Sequence, residues 1–322
     1  MFRKISLLVA AVMVMASCAT KPAQQPDVQV GTYTISVVTD NVYHIQDYND
    51  ANPAGETFDA DGNLTHFNNC SDMYLLVGKE KSLLIDLSNR IDWADNAVES
   101  LQKLVAERIG NTKLQITFTH NHGDHTGMLP AFVSNPDVQF LLPRVDFDRM
   151  RNRFPQSQTE MYEDGYSFDL GGMTVSTKLV PGHTPGSVVF FLDGQNIAFT
   201  GDAVGSGHGV WIFDRSGFRN YAKAVPELVE YIEARKDIKP AKLQLLGGHY
   251  WQKDWLTLKE GEPVMGMPYL YEMRDLIDQI NAGTAETEPS NLSNPTLDTY
   301  FKNGNAIVVW NAQFAAELLL NE

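Results

Sequence analysis

The sequence predicts an α/β fold in four layers, with two sheets in contact and helices on their outer faces. Two observations predict it. Strand patterns come first in a run and then alternate with helical ones. Polar residues able to ligate metal also recur just past the ends of apolar strands, which is where open α/β architectures build their sites.

Residues 32–38 and 42–45 are rich in β-formers and read as early strands. Residues 50–69 are polar and carry Gly, Asn and Asp, so they read as a loop or irregular hairpin. Residues 71–77 and 82–87 form a strand pair around Gly78-Lys79-Glu80-Lys81. Residues 92–109 place Ala97, Leu101, Leu104, Val105 and Ile109 at helical spacing. Residues 113–119 alternate as a strand, and 126–132 read as the start of a helix. A strand follows at 138–142, then a charged helical stretch over 144–162 that is interrupted near Pro155. Strands at 173–179, 187–192 and 195–200 precede a helix over 221–235, with Pro226 inside it or at its start. A strand at 243–246, a helix over 269–282 ending at Gly283 and a strand at 306–310 complete the chain.

The N-terminus reads as a targeting segment, set aside from the fold. Arg3 and Lys4 precede an apolar run over residues 5–16. That run is too short to span a bilayer, which needs about 20 residues. Met15-Ala16-Ser17-Cys18 resembles a bacterial lipoprotein signal, in which cleavage before the cysteine accompanies lipidation of its thiol. An ordinary secretory signal cleaved near Cys18 is the other reading. The division expected is a signal peptide over residues 1–17, a lipidated N-terminus and flexible tether over 18–29, and one domain over 30–322. The expected location is the periplasmic side of a bacterial cell envelope, with a lipid on Cys18 as the sole membrane contact. Cys70 is the only other cysteine and reads as a buried apolar residue, so no disulfide is expected. A formal charge of −15 repels phosphate backbones and argues against a nucleic-acid partner. A small molecule is the expected substrate.

The chemistry concentrates in Thr119-His120-Asn121-His122-Gly123-Asp124-His125. Three of the chain's eight histidines fall in this H-x-H-x-D-H pattern. Imidazole and carboxylate are the usual zinc donors besides thiolate. The spacing suits a loop after a strand, because ligands on a helix recur at i and i+4. One loop cannot fill two metal shells, so His183 in Val180-Pro181-Gly182-His183-Thr184-Pro185-Gly186, Asp202 after Phe199-Thr200-Gly201, and His249 after Gly247-Gly248 are the further candidates.

With these motifs in this order, the chain resembles the metallo-β-lactamase fold superfamily over roughly residues 30–310. The resemblance implies an αββα sandwich with a dinuclear site between the sheets. It implies that His120, His122 and His183 hold one metal, that Asp124, His125 and His249 hold a second, and that Asp202 bridges both. An aspartate at 202, rather than cysteine or serine, is more like glyoxalase II and the acyl-homoserine lactonases than true β-lactamases. Gly205, however, stands where those lactonases carry a tyrosine, and the basic C-terminal region of glyoxalase II has no counterpart here.

The implied activity is hydrolysis of an ester, lactone or thioester carbonyl by a hydroxide shared between two divalent ions about 3.5–4 Å apart. Zinc is the first choice of ion, and iron or manganese suit the same donors. Asp124 and Asp202 offset the metal charge, and His208 is a candidate proton donor to the leaving group or else a plain loop histidine. Asp86 either orients a ligand histidine or caps a turn. Trp211, Phe213, Tyr250 and Trp251 either wall an apolar pocket or pack in the core, and the 144–162 segment is a candidate lid. Competing readings are a periplasmic β-lactamase, a mononuclear iron sulfur-dioxygenase-like oxidoreductase of the same fold, and a non-catalytic metal-binding lipoprotein.

Overall fold

The computed structural model describes residues 28–47, 57–58, 64–66, 71–205, 209–249, 265–290, 292 and 294–318. The first sheet combines β1 (Val28–Val30), β2 (Tyr33–Thr39) and β3 (Val42–Gln46) with later strands; β4 (Thr57–Phe58) and β5 (Leu64–His66) pair separately. The later strands are β6 (Asp72–Val77), β7 (Lys81–Ile85), β8 (Lys113–Thr117), β9 (Gln139–Pro143) and β10 (Thr159–Tyr162), giving the order β1-β2-β3-β6-β7-β8-β9-β10. The pairing is antiparallel as far as β7 and parallel from β7 to β10. The second sheet has β11 (Ser167–Asp169), β12 (Thr174–Leu179), β13 (Val188–Leu192), β14 (Ile197–Gly201) and, after β15 (Val210–Trp211), β16 (Gln244–Gly247). A third sheet of order β15-β19-β18-β17 uses β17 (Glu286–Pro289), β18 (Thr299–Asn303) and β19 (Ala306–Trp310).

The strands are apolar on both faces because the two main sheets are covered on both faces. Leu75, Leu84 and Ile116 pack with Leu101, Leu104 and Val105 of α1 (Ala97–Ile109). On the opposite face Leu76, Leu83 and Ile85 meet Val175, Phe190 and Phe199 of the second sheet. The far side of that sheet packs under α4 (Arg215–Ala234) and α5 (Met267–Asn281), where Phe218 stacks on Trp310 at 4.3 Å. The expected four-layer αββα sandwich is therefore the observed architecture.

Several local expectations need correction. The helix expected from 126 is a single turn, α2 (Gly123–Thr126), with a 3₁₀ turn at Leu129–Ala131, because Pro130 cannot donate to a continuing α-helix. The stretch 144–162 is mostly not α-helix. It forms α3 (Arg144–Phe147), a 3₁₀ helix over Asp148–Arg153, a second over Gln156–Gln158 and then β10. Pro155 breaks the helix, and the next turn delivers Thr159 to pair with Phe140. The helix expected from 221 starts at Arg215, where the Asp214 side chain caps it by accepting from Gly217 N at 2.7 Å. Strands β17 and β18 and the terminal helix α6 (Ala312–Leu318) were not anticipated. The signal segment, Cys18, Cys70 and most of the 50–69 loop lie outside the described residues.

Candidate metal centre

Parallel pairing brings the expected ligands to one end of the sandwich. β8 runs with β7, and β14 with β16. β12 is antiparallel to β13, which is antiparallel to β14, so β12 shares the direction of β14. The loops after β8, β12, β14 and β16 carry His120–His125, His183, Asp202 and His249. These side chains form two groups: His120, His122 and His183, and Asp124, His125, Asp202 and His249. Within each group the ligand atoms lie within 4.8 Å of one another.

Asp202 faces both groups. Its Oδ2 lies 3.9 Å from His120 Nε2, 3.4 Å from His183 Nε2 and 3.6 Å from His125 Nε2, and its Oδ1 is 3.4 Å from His249 Nε2. Asp124 Oδ2 lies 3.8 Å from His125 Nε2 and 3.7 Å from His249 Nε2. His122 Nδ1 and His183 Nε2 are 2.9 Å apart.

Neighbouring groups decide which ring nitrogen each histidine leaves free. Asp86 accepts from Thr119 N at 2.7 Å and from Thr119 Oγ1 at 2.7 Å. Having given its proton to Asp86, Thr119 Oγ1 accepts from His120 Nδ1 at 3.0 Å. His125 Nδ1 donates to Asp86 at 3.0 Å, and His183 Nδ1 to the Trp211 carbonyl at 2.9 Å. Each of these three rings is thereby held with Nδ1 protonated and Nε2 turned to the centre. Asp86 thus orients two of the candidate ligands, His125 directly and His120 through Thr119.

The centre fits divalent cations on the chemistry of its atoms. His120 Nε2, His125 Nε2 and Asp202 Oδ1 are buried with no hydrogen-bond partner among the described residues. Leaving such groups unsatisfied is costly, and cations held by the two groups would satisfy them. Burial lowers His120 well below the ordinary imidazole range and takes His183 down to about 4, so both are held neutral, as ligation requires. Burial also opposes charging of His125 and His249. The carboxylates outweigh it, led by Asp202 in both, raising His125 well above its ordinary range and His249 to about 9.

Two glycines are demanded by close approach. A Cβ on Gly248 would sit 2.5 Å from Asp202 Oδ1 and 2.8 Å from His125 Cε1. At Gly205 φ is +128°, and a Cβ there would lie 2.6 Å from the Tyr269 hydroxyl, which donates to the Val204 carbonyl. No tyrosine side chain fits at 205 in this backbone.

Asp146 gave no sign in the sequence, because it sits in an arginine-rich stretch far from its partners. Its carboxylate accepts from Thr184 Oγ1 and from Gly186 N, both at 2.7 Å, pinning the His183 turn. Its carbonyl accepts from Asn121 Nδ2 at 3.1 Å, which ties the two ligand loops together. Asp47 plays a similar part beneath the loop after β7, taking hydrogen bonds from Ser71 N, Ser88 and Asn89. The Phe213 ring lies 5.8 Å from that of His122 and 5.6 Å from that of His183, and both Phe213 and Trp211 are partly exposed, so neither is a core residue. His208, Tyr250 and Trp251 lie outside the described residues.

Residues 71–260 match the family model described as "Metallo-beta-lactamase superfamily". Among curated proteins, the chain is 33% identical over 140 residues to "Lactamase-like protein ptaB" of Pestalotiopsis fici, covering 42% of this chain and 40% of that one. It is 33% identical over 138 residues to "Atrochrysone carboxyl ACP thioesterase" of Claviceps purpurea, again covering 42% and 40%. The match thus spans about two fifths of the length of these relatives. Among solved structures, a metallo-beta-lactamase from Pontibacter korlensis aligns over 76% of this chain and 99% of its own, with TM-score 0.53 and 16% identity. One from Erythrobacter litoralis aligns over 79% and 100%, with TM-score 0.50 and 15% identity. At these identities the likeness shows the fold.

Proposed function

The chain belongs to the metallo-beta-lactamase superfamily, and from that premise we propose that it is a metal-dependent hydrolase of a carbonyl substrate, with a thioester first and an ester or lactone next. The observation that carries the reading is Asp202, whose two carboxylate oxygens face both donor groups. In this reading His120, His122 and His183 hold one divalent cation and Asp124, His125 and His249 hold a second, with Asp202 between them and zinc as the favoured ion. When bound, two such cations supply Lewis-acid polarisation of the carbonyl and a water acidified toward neutrality.

The chain's own residues do the rest. Asp86 and Thr119 hold the His120 and His125 rings in the ligating tautomer. Asp146 holds the His183 turn. Phe213 offers a partly exposed aromatic edge beside the first triad, suited to an apolar acyl group. The Claviceps relative's printed description supports placing a thioester first. Asp202 and Gly205 weigh against β-lactamase and tyrosine-assisted lactonase chemistry respectively.

Residues 1–17 and Cys18 support a place on the periplasmic side of a cell envelope, held by a lipid on Cys18. No helix of the described residues is long and apolar enough to cross a membrane. Loss of labelled fatty acid from a Cys18→Ser variant tests the anchor.

The decisive experiment combines metal analysis with a panel of thioesters, esters, lactones and a chromogenic β-lactam, run against Asp202→Ala. The reading expects about two ions per chain and thioester turnover that the variant lacks. One iron per chain with oxygen consumption, or turnover of the β-lactam alone, would sink it.

A further inference from the structure

The residues of each donor group hang from different sheets. In the second group Asp124 and His125 follow β8 of the first sheet, whereas Asp202 and His249 follow β14 and β16 of the second. The first group is divided in the same way, with His120 and His122 after β8 and His183 after β12. The distances inside each group therefore depend on how the two sheets are registered at this end. Two contacts fasten the sheets beside the first group: the Asp146 carboxylate holds the His183 turn, and Val188 N donates to the Thr119 carbonyl at 2.8 Å.

Beside the second group the fastening side chain is Tyr74. It stands in β6 of the first sheet and is buried against Phe199 and Leu246 of the second. Its hydroxyl donates to the Gly247 carbonyl at 2.7 Å. Gly247 ends β16 two residues before His249, and it pairs with Gly201, the residue before Asp202. The Tyr74 ring lies 4.7 Å from that of Phe199, three residues before Asp202. The next carbonyl, that of Gly248, accepts from Asp72 N of the same strand at 2.8 Å. Gly248 has no room to give, because Asp202 Oδ1 and His125 Cε1 already crowd it. In packing this close, a shift at Gly247 passes to His249 instead of being absorbed. The surroundings of the ring are largely apolar, so phenylalanine would pack there equally well. What the hydroxyl adds is the bond to Gly247.

We propose that Tyr74 is a positioning residue for the second donor group: its hydrogen bond to Gly247 sets where His249 stands relative to Asp124 and His125. The proposal rests on the two-ion reading above. Loss of the bond loosens the group that contains His249 and leaves the His120, His122 and His183 group to its own fastenings.

The test is Tyr74→Phe in the full chain, which keeps the ring and removes one oxygen. Zinc titration against a chromophoric chelator reads the two dissociation constants. Tyr74→Phe should weaken by about 10-fold the ion that His249→Ala also weakens, and leave the other as in the wild type. Because Tyr74 acts through His249, the double variant should bind zinc no more weakly than His249→Ala alone. A tyrosine that only stabilises the fold would weaken both ions alike or add its loss to that of His249→Ala. Either result, or wild-type binding of both ions by Tyr74→Phe, overturns the proposal. If the wild type binds a single zinc, the two-ion reading fails and the same comparison is made on that ion. Tyr74→Phe and His249→Ala must then each weaken it without adding, and any other result overturns the proposal. If the wild type binds no zinc, the hydrolase reading fails and positioning is judged on imidazole proton NMR of the metal-free chain. The His249 signals should move in Tyr74→Phe while those of His183 stay; unmoved His249 signals, or equal shifts of both, overturn it.

Discussion

Asp86 and His125 face each other across 3.0 Å in the fully buried floor of the centre, and the same carboxylate reaches His120 through Thr119. One residue therefore sets the tautomer of a histidine in each donor group. Asp86→Ala should weaken metal binding by about 10–100-fold, the usual effect of removing such a partner. Competition with a chromophoric chelator reads it. Asp86 has φ +65°, a conformation asparagine also tolerates, so Asp86→Asn separates backbone strain from loss of charge. If the asparagine variant binds metal as well as the wild type, orientation by charge is refuted.

Gly248 touches Asp202 Oδ1 and His125 Cε1 so closely that any Cβ must displace one of them. Gly248→Ala should fold normally by circular dichroism yet lose about 100-fold in kcat/KM, the cost of misplacing reacting groups by about 1 Å. An alanine variant of full activity would show that the centre yields more than this packing implies.

The candidate centre was legible because its residues interrupt or follow apolar strands. His120, Asp202 and His249 each follow a strand that buries nearly every side chain, so a polar residue there stands out, whereas His183 follows the half-buried β12 and is marked by the Gly and Pro residues that bracket it. Asp146 was not legible. Its partners lie 38 and 40 residues away, and nothing local marks a buried carboxylate among arginines. The helical reading of 144–162 failed for a related reason: Arg, Met and Gln fit a helix by propensity, while parallel pairing of β10 with β9 is a tertiary gain that propensity does not contain. The third sheet was missed because β17 is exposed throughout and carries two glutamates and a proline, the composition of a protected edge.

Asp146 joins the two ligand loops, and its removal leaves Thr184 Oγ1 and Gly186 N without this acceptor in a buried turn. Asp146→Ala should cost about 1–3 kcal/mol in urea unfolding and lower metal retention at the His120, His122 and His183 group. Asp146→Asn keeps one acceptor oxygen and should recover part of both. A variant that unfolds earlier but retains metal as the wild type does would make Asp146 a stabilising residue without a part in ligand placement.

Arg235 ends α4 and fastens it to the second sheet. Its guanidinium donates to Asp237 at 3.0 and 2.6 Å, to Asp193 at 2.5 Å and to Ser176 at 2.6 Å. Hydrogen bonding from Arg235 holds the Asp237 carboxyl at about 2, below the 3.8 of a free aspartate. A depressed folded-state pKa adds stability above the unfolded value, and that stability is lost as pH falls from about 4 through about 2. Asp237 is largely exposed, so solvent screening limits its share to a few tenths of a kcal/mol. The sharper readout is the titration itself: carboxyl NMR should find Asp237 near 2 in the wild type and near 3.8 in Arg235→Ala. An unchanged midpoint in the variant would assign the depression to the Gly194 amide, which also donates to Asp237 at 3.1 Å.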